Sequence, residues 1–313
     1  MCPVTTSLLM FFDNQVNDSQ PDIPSISSQN NSTLKKFLTG SFDDKRKFIR
    51  ALTSINDPGF IDFLYSRLEH ENWLLRSEII ETLGRVQSPK VLSLLLSAFQ
   101  DEDSWVRRKV ITALARSRDP VVASCMVQAL DDDDPVVRAK ATEYLGEIRY
   151  LPALEKLILA LKDKEWIVRN NAALALGDIG DKRSIDPLLS VSKSSDLQET
   201  VVRSLSGIGR PAIEPLLKVL NDGDLGQIAR RSLLSIGKPV IEPLINSCTD
   251  QDGNFDRSSL LSSLKLLKEL KPASKDLVKL KPMLLAVILA GDNSEDLNEL
   301  KTITKGFLKS LSP

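Results

Sequence analysis

The stretch DDDDPVVRAKATEYLGEI, residues 131–148, joins an acidic cluster to a segment with apolar residues three and four apart. Three other segments align with it without insertions: WLLRSEIIETLGRV from Trp73, SWVRRKVITALARS from Ser104 and WIVRNNAALALGDI from Trp166. Their arginines, at positions 76, 107, 138 and 169, are each 31 residues apart. Self-similarity at a fixed period of this length is the signature of stacked helical repeats. The sequence therefore predicts an all-α solenoid, an α-α superhelix.

Each repeat is predicted to be a helix, a tight turn and a second helix, because the apolar spacing has the period of a helix. Two altered copies, IGRPAIEPLLKVL from Ile208 and IGKPVIEPLINSC from Ile236, are 28 residues apart. Glycines are expected just past helix ends, and prolines in first helical turns, where a missing N–H costs nothing. The glycines in question are Gly180, Gly209 and Gly237, and the prolines are Pro187, Pro215 and Pro243.

Three regions are predicted along the chain. Residues 1–33 are rich in Ser, Asn, Gln, Asp and Pro, a composition typical of a disordered tail. Residues 34–271 form the repeat array of about seven or eight units. Its period is 31 residues over 70–192 and about 28 over 193–248. Residues 272–313 are expected to form a helical cap over the last apolar surface.

The acidic clusters are interpreted as helix starts, since carboxylates there cap free N–H groups and oppose the helix dipole. An aspartate recurs six residues before three of the repeated arginines, so an aspartate–arginine pair within or between repeats would form a ladder. A hard cation among stacked carboxylates is the alternative. The predicted structural ladder comprises Asp101, Asp132 and Asp163 with Arg76, Arg107, Arg138 and Arg169.

The pattern D-x-x-x-x-V-R-x-x-A-x-x-x-L-G-x-I, over about residues 43–267, resembles the HEAT-like repeats of the phycobilisome-lyase type. The resemblance implies a right-handed α-solenoid whose Val-Arg helices line the concave side, with the repeated arginines as a structural ladder. Proteins of this type include bilin lyase subunits, scaffolds and adaptors, and deoxyhypusine hydroxylases. The hydroxylases hold two irons through several His-Glu dyads, whereas His70 is this chain's single histidine.

Catalytic chemistry has little support in the sequence, although an enzymatic role stays open. One histidine cannot build a diiron site, and His70 aligns with Asp101, which favours a helix-capping role. Cys125 and Cys248 lie in apolar helical segments and are interpreted as packing cysteines. No phosphate-binding glycine loop occurs, so we expect no catalytic residues, no metal and no cofactor.

The partner-binding surface is predicted from helix positions opposite the core. One row is apolar, and two further rows vary in charge from copy to copy. Trp73 and Trp166 are interpreted as covers over the contacts between repeats. The alternative for the apolar row is the same kind of packing, in which its side chains cover the neighbouring repeat. The predicted rows are Leu74, Trp105, Val136 and Ile167; Glu81, Thr112, Glu143 and Leu174; and Arg85, Arg116, Glu147 and Asp178.

Composition narrows the choice of partner. The net charge is −1, which gives no general electrostatic attraction to nucleic acid or to an anionic membrane. The basic segment Ser104–Arg118 could contact phosphate, but acidic clusters flank it. Three scattered cysteines and the absence of a signal-peptide pattern favour a cytoplasmic protein.

The predicted function is a non-enzymatic scaffold or adaptor that binds a protein partner on the concave face. One alternative is a bilin-lyase-like subunit that positions a tetrapyrrole on a carrier protein, the only case in which a bilin would bind. A nucleic-acid-binding HEAT-like protein is the other, and we do not expect it from the charge balance.

The domain boundaries can be tested by truncation. Removing residues 1–33 should leave the melting temperature nearly unchanged, because that composition buries little apolar surface. Removing residues 272–313 should lower it clearly, because the last repeat would lose its cover. Thermal melts followed by circular dichroism measure both effects, and equal behaviour of the two truncations would contradict the boundaries.

Overall fold

The computed structural model describes residues 37–52, 58–193, 196–248, 255–289 and 295–310. The predicted tail of residues 1–33 lies outside these ranges. Helices and turns account for the regular structure of the described ranges, and no strand occurs in them, which confirms the all-α prediction. The described helices are α1 Phe42–Ala51, α2 Pro58–Ser66, α3 Trp73–Leu83, α4 Pro89–Ser97, α5 Ser104–Leu114, α6 Pro120–Ala129, α7 Pro135–Glu147, α8 Leu154–Ala160, α9 Trp166–Ile179, α10 Ile185–Val191, α11 Gln198–Ile208, α12 Arg210–Lys218, α13 Gly226–Ile236, α14 Ile241–Asn246, α15 Arg257–Leu270, α16 Ser274–Leu277, α17 Lys281–Leu289 and α18 Glu295–Ser310.

The chain forms two compact units, one ending at Ile148 and one beginning at Arg149. In the first unit, the odd-numbered helices α1, α3, α5 and α7 pack side by side, and each even-numbered helix packs against the next odd one. The second unit has the same plan, with α9, α11, α13 and α15 forming the row of odd-numbered helices. Helix α18 packs on α15 and α17 at the end of that row. None of the described helices is long and apolar enough to cross a membrane.

The core of each repeat comes from three apolar positions on the odd-numbered helix. In α5 these are Val106, Val110 and Leu114, and all three are fully buried. Their copies in α3 and α7 are likewise at most 2% exposed. Burial of one such side chain contributes roughly 1.5–3 kcal/mol, so the repeated triplet supplies much of the stability of each repeat.

Small residues set the distance between neighbouring odd-numbered helices. A Cβ atom added at Gly84 would lie 2.5 Å from the Cβ of Ala113, and one added at Gly177 would lie 2.7 Å from the Cα of Ser204. Real Cβ atoms do not approach so closely, so any larger residue at Gly84 or Gly177 would push two repeats apart.

Most of the predicted helix ends agree with the structure. Gly180, Gly209 and Gly237 follow α9, α11 and α13 with φ of 75°, 73° and 77°, values that favour glycine. Pro187 and Pro243 are third residues of their helices. Pro215 is different, because it is the sixth residue of α12 and lies inside the helix.

The prediction for Pro215 was therefore wrong, and the reason is local. A short 3₁₀ turn precedes both α10 and α14, which delays the start of each α-helix until just before its proline. Helix α12 instead starts at Arg210, directly after Gly209, and Pro211 occupies its first turn.

The acidic clusters do begin helices, and at the starts of α5 and α7 two aspartates have different roles, whereas Glu165 before α9 forms no side-chain cap. Asp103 accepts a hydrogen bond from the amide of Trp105 at the start of α5, and Asp134 accepts from the amides of Val136 and Val137 at the start of α7. These are the N-caps that carboxylates favour. The aspartates two residues before these caps, Asp101 and Asp132, have a different role.

That earlier aspartate binds the arginine of the preceding repeat. Arg107 of α5 donates from Nε and Nη2 to the two oxygens of Asp132, at 2.9 Å each. Its Nη1 donates to the backbone carbonyls of Asp101 and Glu102, at 2.9 and 3.2 Å, in the loop that leads into α5. One guanidinium therefore fixes the entry loop of its own repeat and the carboxylate of the next.

The contact recurs along the first unit. Arg76 binds both oxygens of Asp101, at 3.0 and 2.9 Å, and the carbonyl of Glu71. One repeat earlier, a lysine takes the arginine's place, and Lys45 Nζ lies 2.6 Å from Glu71 Oε1. Arg138 donates to the carbonyls of Asp132 and Asp133 in its own entry loop. We call this series the ion-pair ladder.

In the second unit, Arg169 donates to the carbonyls of Asp163 and Lys164, at 2.9 Å each, and to Asp196, at 2.6 Å. Asp196 is not among the predicted ladder residues, because the 31-residue period points to position 194 and the aspartate lies two residues later. His70 is not the helix cap that its alignment suggested. Asn72 caps α3 by accepting from the amide of Leu75, and the neighbouring Glu71 takes the ion pair.

Electrostatics of the ladder follow from these contacts. Burial alone would raise the pKa of Asp132, but hydrogen bonds from Arg107 and from the amide of Asp134 outweigh it and hold the pKa below its ordinary value. The hydrogen bond to Asp132 raises the pKa of Arg107. Both groups are therefore charged at neutral pH and stabilise the folded state as a pair.

The requirement for a left-handed residue after α9 can be tested at Gly180. Gly180→Ala should lower the free energy of unfolding by about 1 kcal/mol, because a side chain is strained at positive φ. Gly223→Ala is the matched control, since Gly223 has no neighbouring atom within 4 Å and no positive φ. Denaturant unfolding of each full-length variant measures the effect. Equal losses at both positions would show that backbone strain is not the cause.

The ladder is tested by Arg107→Leu, which should lower the free energy of unfolding by about 2–4 kcal/mol because Asp132, whose side chain is only 14% exposed, loses its cation. Arg183→Leu is the control. Arg183 is 53% exposed and pairs with Asp181 and Glu155, so its loss should change the free energy of unfolding far less than the loss of Arg107. Denaturant unfolding at pH 7 compares the two.

Acid gives an independent check on the same pair. Because the pKa of Asp132 is lowered by folding, its contribution is complete above the unfolded value of about 4 and is lost as pH falls through the folded value. The stability difference between the wild type and Arg107→Leu should therefore shrink in acid. A difference that stays constant down to low pH would mean that Arg107 acts by packing alone.

Candidate protein-interaction surface

The predicted partner-binding residues lie on odd-numbered helices, except Arg85 and Arg116, which lie in the turns that follow α3 and α5, and most of them are exposed. In the first unit, Trp105 is 44% and Val136 39% exposed, whereas Leu74 is half-buried. The other two rows of this unit are exposed throughout: Glu81, Thr112 and Glu143, and Arg85, Arg116 and Glu147. Helices α3, α5 and α7, with the turns that follow α3 and α5, thus present nine variable positions on one unit.

Three predicted residues belong to the second unit. Ile167 is 42% exposed and Asp178 is exposed, while Leu174 is half-buried, all on α9. Trp166 precedes them and donates from Nε1 to the carbonyl of Asp196, at 3.2 Å, so it bridges two repeats as a covering residue would. Trp73, at the equivalent position of α3, is 45% exposed.

Trp105 is held in place by a charged neighbour. The guanidinium of Arg108 lies 5.4 Å from the centre of the Trp105 ring, a cation–π distance. Arg108 Nε also donates to Asp134 Oδ1, at 2.9 Å, and Asp134 is buried and caps α7. Arg108 therefore covers part of the indole and fixes it against the next repeat, while the remainder of the ring faces solvent. From the sequence, Arg108 is only one cation of the basic segment Ser104–Arg118, and nothing in its spacing indicates the contact with Trp105.

Other charges on this surface are paired between repeats. Lys109 of α5 lies 2.6 Å from Glu81 of α3, and this hydrogen bond holds the pKa of Glu81 below its ordinary value. Within α7, Lys140 binds Glu143 at 2.7 Å. Arg46 and Arg50 of α1 both bind Glu78 of α3.

The basic segment Ser104–Arg118 therefore contains few cations available for phosphate. Arg107, Arg108 and Lys109 are bound to carboxylates of neighbouring repeats. Arg116 and Arg118 remain, since neither forms an ion pair with a described residue, although Arg116 donates to the carbonyl of Gly84, at 3.2 Å. These two exposed arginines stand at the edge of the surface, in the turn that follows α5.

The described residues offer few side chains for metal binding or for a reactive thiol. No group of three or more histidine, cysteine, aspartate or glutamate side chains is arranged there to hold a metal. Cys125 and Cys248 are buried and not bridged. Burial raises the pKa of Cys248 to about 12, so its thiol is protonated and unreactive at neutral pH. Both cysteines act as packing residues.

Several solved structures are similar to this chain at low identity. An engineered protein is 18% identical, with a TM-score of 0.43, over 89% of this chain and 91% of its own. The complex of CpcE and CpcF of phycocyanin lyase from Nostoc sp. is 19% identical, with a TM-score of 0.39, over 71% and 96%. The karyopherin Kap121p bound to Nup53p is 13% identical, with a TM-score of 0.48, over 92% of this chain and 42% of its own. No curated protein matches the sequence.

Family membership rests on the sequence itself. The HEAT-repeat family matches residues 32–115, 61–146 and 125–199. These overlapping stretches cover more than half of the 313 residues, and they coincide with the stacked helix pairs and the ion-pair ladder described above. The chain belongs to the HEAT-repeat family and has the all-α solenoid fold of that family.

Proposed function

We propose that this chain is a non-enzymatic scaffold or adaptor that binds a protein partner on the exposed side of α3, α5 and α7. The observation that carries the proposal is the contrast between buried and exposed positions on these helices. Val106, Val110 and Leu114 have apolar counterparts in the neighbouring repeats, whereas the exposed positions beside them change in size and charge.

The size of this surface fits a protein better than a small molecule. Packed helices lie 8–10 Å apart, so three neighbouring helices span roughly 20 Å. A standard protein interface buries about 800 Å² on each partner and mixes aromatic side chains with a polar rim. Trp105 and Val136 supply the apolar part of such a surface, and Glu81, Glu143 and Arg116 supply the rim.

Trp105 is the proposed central contact. Tryptophan is enriched among the few residues that dominate binding energy, and an immobilised side chain loses little entropy when a partner docks. Arg108 already immobilises this indole through its contact with the ring and with Asp134. The ring is thus presented in one orientation before the partner arrives.

Two further parts of the proposal rest on the resemblance and on composition. In HEAT-like proteins of this type the Val-Arg helices line the concave side, so we assign the partner to a concave face. A reducing, cytoplasmic setting is supported by Cys125 and Cys248, which are buried and unbridged among the described residues.

The partner can be identified by pull-down from the native host followed by mass spectrometry, and the surface by substitution. Trp105→Ala should weaken binding of that partner about tenfold, equivalent to 1–2 kcal/mol, as truncation of a moderate hot spot does. Trp73→Ala is the matched control, because Trp73 is equally exposed but lies outside the predicted rows. Isothermal titration calorimetry measures both affinities.

A second substitution separates binding from stability. Thr112→Arg adds bulk at the centre of the surface, where the exposed Thr112 donates to the carbonyl of Arg108 in its own helix. Thermal melts should remain unchanged while binding falls. Full binding by both Trp105→Ala and Thr112→Arg, with unchanged melts, would exclude this surface. A strongly lowered melt for Trp105→Ala alone would show that the indole mainly joins two repeats.

A further inference from the structure

A groove of about 350 Å³ lies in the first unit, between the loop that follows α3 and the loop that follows α5. Its apolar wall is formed by α4 and the residues just before it, and Ala113 of α5 lies opposite. Leu95 is buried at the base, while Leu92 and Val86 are half-buried and Pro89 is exposed. The groove thus offers apolar surface to a ligand without any change in the packing of the repeats.

Most polar groups around this groove are already bonded. Ser88 accepts a hydrogen bond from the amide of Val91, and Asp119 accepts one from the amide of Val121, so each caps the helix that follows. The carbonyl of Ser117 accepts from the hydroxyl of Tyr144, at 2.8 Å. The cap uses one oxygen of Asp119, so the second oxygen and the side chain of Gln87 are the acceptors beside two cationic donors.

Arg116 and Arg118 are these donors. Both line the groove, and both are exposed. Arg76, Arg107 and Arg108 of this unit are bound to carboxylates, whereas these two have no carboxylate within ion-pair distance among the described residues. Two unneutralised guanidinium groups beside an apolar wall are complementary to carboxylates next to an apolar side chain.

We propose that this groove binds an acidic linear segment of a partner protein, with an apolar side chain against Leu92 and Val86 and carboxylates on Arg116 and Arg118. The proposal rests on the proposed function and names the chemistry of the partner. Arg116, in the turn that follows α5, belongs to both the groove and one of the predicted rows, so the groove continues the interaction surface. A nucleic acid fits less well, because its phosphodiester backbone would leave the apolar wall uncovered and no aromatic ring of a described residue lines the groove for base stacking.

The occupant can be selected before the partner itself is identified. A phage library of random 12-residue peptides is selected on the full-length protein, and an enriched peptide is synthesised with a fluorescein label. The proposal expects enriched peptides to combine aspartate or glutamate with leucine or phenylalanine. An enriched pool without acidic residues, or no enrichment above background, would overturn it.

Substitution of the two arginines then tests whether the peptide binds in the groove. Arg116→Glu with Arg118→Glu should weaken binding of the labelled peptide at least tenfold in fluorescence polarisation. The matched control is Arg203→Glu with Arg210→Glu, which makes the same charge change at two exposed arginines of the second unit and should alter the affinity less than twofold. Equal affinity of both double variants would overturn the proposal. If the first variant melts early, the peptide with its acids changed to amides tests the same contact on the wild-type protein.

Other occupants give different results. Labelled oligo-dT of 12 nucleotides that binds the wild type and loses affinity in the Arg116→Glu, Arg118→Glu variant would assign the arginines to nucleic acid. Sedimentation that shows wild-type dimers and monomeric variant would assign the groove to a second copy of this chain. Either result overturns the acidic-segment proposal. Loss of the native partner through Trp105→Ala, with unaltered binding in the groove variant, would leave the proposed function intact and remove only this inference.

Discussion

The contact between one repeat's arginine and the next repeat's aspartate is the interaction on which the rest of this structure depends. Arg107 reaches backward to the carbonyls of its own entry loop and forward to Asp132, so it fixes two repeats with a single group. Asp132 in turn accepts from the amide of Asp134, which orders the loop that starts the next helix. Apolar packing drives the repeats together without a preferred direction, whereas the geometry of a guanidinium and a carboxylate fixes the register. Stacking in register is what places equivalent surface positions side by side.

Some charged side chains of this protein are paired between repeats, and others have no partner of opposite charge among the described residues. A net charge of −1 conceals many inter-repeat pairs, including those of Arg108 with Asp134 and Lys109 with Glu81. Such paired groups contribute little to long-range attraction, because each cation is close to a carboxylate. Arg116 and Arg118 differ by having no carboxylate partner among the described residues, and they stand beside an apolar groove. The distribution of ion pairs, rather than the number of arginines, therefore indicates where a partner of opposite charge would bind.

Trp105 combines packing against a neighbouring repeat with exposure to solvent. Arg108 covers part of its ring and links it to the cap of α7, yet nearly half of the residue remains exposed. Treating the position as either a packing residue or a binding residue is too simple, since the packing is what fixes the orientation that a partner would meet.

Arg149 shows that a left-handed backbone position can be occupied by a residue other than glycine. It has a φ of 51° one repeat before Gly180, at 75°, so this left-handed position is kept in the fold even where glycine is absent.

The sequence by itself determined the helical class, the 31-residue repeat and the arginine and aspartate positions of the first unit, because these are periodic and local. It predicted glycine at three helix ends for the same reason, since positive φ is a property of a single residue. Only the tertiary structure decided which carboxylate each cation binds. Glu71 rather than His70 pairs with Lys45, and Asp196 pairs with Arg169 despite a shifted spacing. The tertiary structure also decided that Arg108 packs on Trp105 and that Arg116 and Arg118 have no carboxylate partner among the described residues. Ion pairing between repeats depends on distances between atoms of different helices, and the spacing of residues along the sequence does not give these distances.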